Sequence, residues 1–171
     1  MATPAINKDT LPLVVIFGRA NTGKSTLFNC LTEKRQALVS AIAGTTRDSN
    51  LGKVSWRGRE FELVDTGGVG IQDSMGLDDL VQRQIQYALE KADVLVFVTD
   101  IKDGVTPLDS FVADKLRTLA KPVIVVANKC DLAKDEIGEG EICQLGYGRP
   151  LLCSAIGRYG RTDLLDVIVD T

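Results

Sequence analysis

A chain of 171 residues, 44% hydrophobic and 25% charged, is long enough for one domain with a single good core. Its net charge of −3 provides no overall basic field for nonspecific nucleic-acid binding. The absence of histidine excludes histidine-based catalysis and histidine metal ligands, and the four cysteines (Cys30, Cys130, Cys143, Cys153) lack the C-x-x-C spacing of a zinc site. The N-terminal "MATPAINKDTLPLVVIF" has neither the basic region nor the long apolar run of a signal peptide, and no run approaches the 18 or so residues of a membrane span. A chain of this composition needs no disulfide staples, so a cytoplasmic location is expected. Residues 13–17, "LVVIF", read as a buried strand, and residues 24–31 open a helix with Leu27, Phe28 and Leu31 at helical spacing. Residues 54–56 and 61–64 flank "RGRE", whose Gly58 marks a hairpin turn.

Farther along, residues 78–91 read as a helix and "VLVFV" (94–98) as a fully buried strand. Residues 107–119 form a helix whose Pro107 suits the first turn. Strands follow at 123–127 and 150–153, and residues 162–169 make the closing helix. Residues 131–149 have a poor pattern, for which a short helix and a loop are expected. Near-continuous apolar strands separated by helices predict a three-layer α/β/α domain on a mostly parallel six-stranded sheet, and the hairpin predicts one antiparallel edge strand. Residues 1–171 read as a single domain. Lys53, Arg57 and Arg59 could form a local basic patch, although a solvated hairpin rim is the plainer account.

The stretch Gly18-Arg19-Ala20-Asn21-Thr22-Gly23-Lys24-Ser25 fits the P-loop pattern G-x-x-x-x-G-K-[ST], with a strand before it and a helix after it, so Thr26 lies in the first turn. The glycines permit backbone N–H groups to converge on phosphates beside the helix N-terminus. Lys24 reaches the β- and γ-phosphates, and the Ser25 hydroxyl takes a place on Mg²⁺. Asp65-Thr66-Gly67-Gly68 ends a strand as D-x-x-G: Asp65 can bind Mg²⁺ through water, and the Gly68 N–H can sense a γ-phosphate. Between these lies "SAIAGTTRD", where Thr45 and Thr46 are both candidates to complete the Mg²⁺ shell and Thr46 is favoured.

Asn128-Lys129-Cys130-Asp131 fits N-K-x-D after another apolar strand. The Asp131 carboxylate can accept from both N1–H and the 2-amino group of guanine. Adenine offers neither donor and would leave the carboxylate unpaired. Asn128 can tie the base to neighbouring loops while the Lys129 stem covers the ring. Ser154-Ala155 follows the last strand with two small residues, which lets N–H groups approach the guanine carbonyl. These motifs predict a GTP/GDP site and hydrolysis of GTP, with Lys24, Thr46 and Gly68 as the catalytic set. A nucleotide-dependent binding module with little turnover is the alternative, and Asp131 disfavours a P-loop kinase using ATP.

With these residues in order, the chain resembles the TRAFAC-class translation-factor-like GTPases. More narrowly, "GRANTGKSTLFNCL", "AGTTRD", "GREFELVDTGG", "VANKCDL" and "QLGYGRPLLCSA" are similar to the first G domain of the bacterial Der (EngA) family, and the MnmE and Era families share parts of the pattern. The resemblance implies action in large-subunit ribosome assembly, with the large subunit or its rRNA as partner of a longer tandem-GTPase protein. It also bears on Val69, which stands where Ras-like GTPases carry the water-orienting glutamine. The family handles that water by other means. Gln72, Asp73 and Asp78 lie downstream, each with a solvated loop as the plainer reading. Asn21 matches the asparagine of potassium-activated relatives, which implies a K⁺ ion held by its carboxamide, with Ser40, Ile42 and Thr45 completing the ring. Residues 42–48 and 69–76 are expected to order with the γ-phosphate.

Overall fold

The computed structural model describes residues 10–33, 37–38, 50–66, 86 and 90–171. Its sheet is built from β1 (Leu13–Phe17), β2 (Ala37–Leu38), β3 (Asn50–Trp56), β4 (Arg59–Asp65), β5 (Val94–Asp100), β6 (Val123–Asn128) and β7 (Leu151–Leu152), in the order β2-β3-β4-β1-β5-β6-β7. The six expected strands are all present. β3 alone runs against the others, and the two-residue β2 adds a seventh beside it. The hairpin strands are longer than their apolar cores, because the turn is only Arg57-Gly58, both with positive φ, and pairing runs from Asn50–Asp65 to Trp56–Arg59.

Among the described residues, the helices with defined bounds are α1 (Lys24–Thr32), α2 (Pro107–Arg117), α3 (Glu139–Ile142) and α4 (Arg161–Asp170), with 3₁₀ turns at Ala133–Gly138 and Cys143–Leu145. The segment without clear periodicity is therefore three short helical turns. Of the expected helix at 78–91, only Gln86, Glu90 and Lys91 are described, and they are helical. Among the described residues no helix is long and apolar enough to cross a membrane.

Alternation along the buried strands divides the core. Val14 and Ile16 of β1 and Val94, Val96 and Val98 of β5 face a cluster with Leu27, Phe28, Leu31, Leu164 and Leu165. Val15, Phe17, Leu95 and Phe97 face another with Val112, Leu116, Ile142 and Leu145. The sheet is thus covered on both faces, which is why its strands are apolar throughout. Phe17 and Phe97 stack with centroids 5.3 Å apart.

The three basic residues near the hairpin are engaged within the chain. Lys53 pairs with Glu60 and Arg57 with Asp166, while Arg59 donates to the Val169 carbonyl. Trp56 Nε1 also donates to Asp166 at 2.7 Å, which ties the hairpin to α4. Because β1, β4, β5, β6 and β7 are parallel, the segments following them emerge at one end of the sheet, on either side of the central β1.

Candidate functional site

The segment after β1 turns through Gly18 (φ 152), Asn21 (φ 65) and Gly23 (φ 88) before α1 begins. A Cβ on Gly18 would lie 2.4 Å from the Val98 carbonyl oxygen, and one on Gly23 would lie 2.3 Å from Asn128 Nδ2. Both positions therefore demand glycine for space as well as for conformation. At the start of α1, Gly23 supplies no side-chain cap and the first turn holds no acid. The N-terminal N–H groups and the positive end of the helix dipole are left for an anion. α2 differs: Thr106 and Asp109 form a capping box around Pro107.

Lys24 is buried, and its Nζ donates to the Arg19 carbonyl at 2.6 Å. Burial lowers its pKa from 10.5 to about 8; the nearby Asp65 carboxylate opposes that shift and Arg19 adds to it. Ser25 Oγ donates to Asp65 Oδ2 at 2.9 Å. Two hard oxygens so placed, at the end of β4 and in the first turn of α1, suit Mg²⁺, which takes one or two protein oxygens and completes its shell with phosphate and water. Thr66 Oγ1 donates back to the Ile16 carbonyl at 2.8 Å, so this hydroxyl pins the end of β4 to β1.

Asn128 joins three segments. Its Nδ2 donates to the Thr22 carbonyl at 2.9 Å, and its Oδ1 accepts from the Ala155 N–H at 3.1 Å. Lys129, in the left-handed region at φ 66, extends its Nζ to the Asn21 carbonyl and to Asp100 Oδ2, 2.8 Å away. Burial pushes the Asp100 carboxyl up, but the Lys129 contact and the N–H groups of Lys102 and Asp103 outweigh it and hold it below the usual range. Asp131 accepts from Ser154 Oγ at 2.6 Å and pairs with Lys102 at 2.6 Å, and these two contacts lower its pKa. Arg19 reaches the other way, to Asp103 and Asp109 at 3.0 and 3.3 Å.

The structure thus brings together residues 18–26, Asp65, Thr66, Asn128, Lys129, Asp131, Ser154 and Ala155 at one end of the sheet. Ser40, Ile42, Thr45, Thr46, Gly67, Gly68, Val69, Gln72, Asp73 and Asp78 lie outside the described residues, as do the segments 42–48 and 69–76. Asp100, Lys102, Asp103 and Asp109 escaped the sequence reading. Thr106-Pro107-x-Asp109 carries a legible capping signal, but no local pattern announces that Asp100, Lys102 and Asp103 contact segments distant in sequence.

A family model described as 50S ribosome-binding GTPase matches residues 13–129. The chain is similar to GTPase Der of Porphyromonas gingivalis, with 48% identity over 158 residues. It is also similar to GTPase Der of Bacteroides thetaiotaomicron, with 49% identity over 157 residues. In both comparisons the match covers 92% of this chain and 36% of the relative, so the chain spans about a third of their length. Among solved structures, the G domain of the T. maritima FeoB iron transporter superposes with a TM-score of 0.71 at 24% identity, covering 93% of this chain and 97% of that one. That likeness shows the fold.

Proposed function

The chain belongs to the family of 50S ribosome-binding GTPases, and from that premise we propose that it binds GTP and GDP through the site above and hydrolyses GTP to GDP and phosphate. The observation that carries the proposal is Asn128, whose one side chain bonds both the P-loop and Ala155. A loop suited to phosphates and loops suited to guanine are thereby held as one unit.

In this reading the N–H groups of residues 19–26 cradle the phosphates, and Lys24 neutralises charge on the β- and γ-oxygens. Water attacks the γ-phosphorus, the bond to the bridging oxygen breaks, and GDP leaves with the electron pair. Ser25, Asp65 and Thr46 would hold Mg²⁺, which when bound supplies positive charge beside the same oxygens. Thr46 and the Gly68 N–H would report the γ-phosphate, and Thr66 pins the end of β4 to β1. Asp131 reads guanine, Lys129 covers its face, and Ser154 and Ala155 border its carbonyl. Multiple-turnover phosphate release, compared with Lys24→Ala, tests the proposal. GDP binding without turnover would leave a nucleotide-dependent binding module, and equal competition by ATP would remove the base assignment.

The proposal extends to potassium. Asn21, exposed on the P-loop, would hold K⁺ together with Ser40, Ile42 and Thr45, in the place of an arginine finger. Turnover is then faster in potassium than in equimolar sodium, and Asn21→Ala abolishes the difference. Val69→Ala has little effect, because valine offers the attacking water no polar contact. Equal rates in the two salts would sink the cation reading. For the whole protein, we propose a cytoplasmic role in assembly of the large ribosomal subunit. Co-sedimentation of the full-length protein with large subunits in GTP and GDP tests it.

A further inference from the structure

The end of β5 and the residues after it contribute to none of the nucleotide motifs, yet they contact two of the segments that do. Asp100 holds Lys129, Asp103 holds Arg19, and Lys102 Nζ lies 2.6 Å from Asp131 Oδ2. Lys102 acts on the group that reads the base in the proposal above. Ser154 Oγ takes the other oxygen of the same carboxylate, Oδ1, also at 2.6 Å. Two donors from different segments therefore grip the two oxygens and fix rotation of the Asp131 carboxylate.

A carboxylate offers about four acceptor lone pairs, so these two contacts leave room for two more. Guanine needs two, for N1–H and the 2-amino group. The lysine stem starts from an anchored point, since the Lys102 N–H donates to Asp100 Oδ1 at 2.9 Å and the Ile101 N–H to the Asn128 carbonyl at 3.0 Å. Both side chains of the pair remain partly exposed, at 46% and 38%, so the carboxylate stays open to a ligand.

We propose that Lys102 is a positioning residue for guanine recognition: its ammonium holds the Asp131 carboxylate in the plane in which it accepts both N1–H and the 2-amino group. The inference rests on the guanine-nucleotide reading of the site. The Lys102 and Ser154 hydrogen bonds, with Lys129 assisting, hold Asp131 below the usual carboxylate range against a smaller opposing effect of burial. The hydrogen bond to Asp131, helped by the charges of Asp131, Asp135 and Asp100, in turn raises the pKa of Lys102. An ionised Asp131 is acceptor-only, as both guanine contacts require.

The test measures GDP and IDP affinities by calorimetry for the wild type, Lys102→Met, Lys102→Arg and Asp131→Asn, with thermal melts to verify folding. IDP keeps N1–H but lacks the 2-amino group. Lys102→Met should weaken GDP about fivefold and IDP less, so that the GDP/IDP ratio falls. Lys102→Arg should restore the ratio, and the acid limb of GDP binding should move to higher pH in Lys102→Met. Equal weakening of GDP and IDP would mean that Lys102 only attracts an anion, and would overturn the proposal. Unchanged or tighter GDP binding in Lys102→Met would overturn it as well. If the wild type binds no GDP, or Asp131→Asn binds it normally, the guanine reading itself fails. Loss in Asp131→Asn with no change in Lys102→Met strikes the lysine alone.

Discussion

At its proposed phosphate end the site rests on backbone and buried groups: Gly18 and Gly23 admit no Cβ, and Lys24 is sequestered against the Arg19 carbonyl. At its proposed base end it rests on side chains, with Asp131 held between Ser154 and a partly exposed Lys102. The difference follows from the ligands each end suits. A polyphosphate is recognised by charge and many N–H donors, which backbone supplies at fixed positions without rotamer entropy. A base is recognised by the order of donors on one edge, which a single well-aimed carboxylate can read. The first end should therefore fail abruptly on substitution, and the second should change its preference.

The strongest way to break this contrast is Gly23→Ala. The new methyl meets Asn128 Nδ2, and the backbone at φ 88 is strained for any other residue. Stability should fall by about 3 kcal/mol in urea unfolding, with GDP binding lost. Near-normal binding would show that the loop can relax. At the other end, Asp131→Asn should weaken GDP about a hundredfold and shift preference toward xanthosine nucleotides, whose 2-oxo group accepts from the new amide. Competition between GDP and XDP measures this, and a uniform loss of both would deny that Asp131 selects.

Lys24 sharpens the comparison through pH. Its pKa is about 8 in the folded chain, against 10.5 for an unperturbed lysine. Below pH 8 both states carry the proton and the folded state bears the whole penalty of burying it. Between pH 8 and 10.5 the unfolded chain holds more protons, so stability of the nucleotide-free protein rises with pH across that window. Lys24→Met should remove the rise and exceed the wild type at pH 7 by on the order of 2 kcal/mol, while losing nucleotide. Parallel stability–pH curves for the two proteins would contradict the burial penalty. The smallest effect is expected outside both ends: Asp166→Ala deprives Trp56 and Arg57 of their partner and should cost about 1 kcal/mol, with GDP affinity unchanged.

Much of this was legible in the residues. The buried strands declared themselves because a sheet covered on both faces needs apolar side chains in both directions, as in "VLVFV". The P-loop declared itself because its geometry requires glycine at fixed places. Boundaries were less legible: Asn50 to Lys53 and Arg59-Glu60 carry no strand-like apolar run, yet they pair across the hairpin because their neighbours set the register. The segment 131–149 hid its three helical turns because each is too short to show a period.

The order of residues alone specified the strand–helix alternation, the positions that admit only glycine, and the residue types available to hold phosphate, Mg²⁺ and guanine. These depend on local sterics and on the chemistry of single side chains, both of which a linear chain states. Folding settled which distant groups meet: Arg19 with Asp103 and Asp109, Asn128 with both Thr22 and Ala155, Lys102 with Asp131. Such pairings arise because parallel strands deliver segments far apart in sequence to one end of the sheet. No pattern within a single segment encodes that proximity.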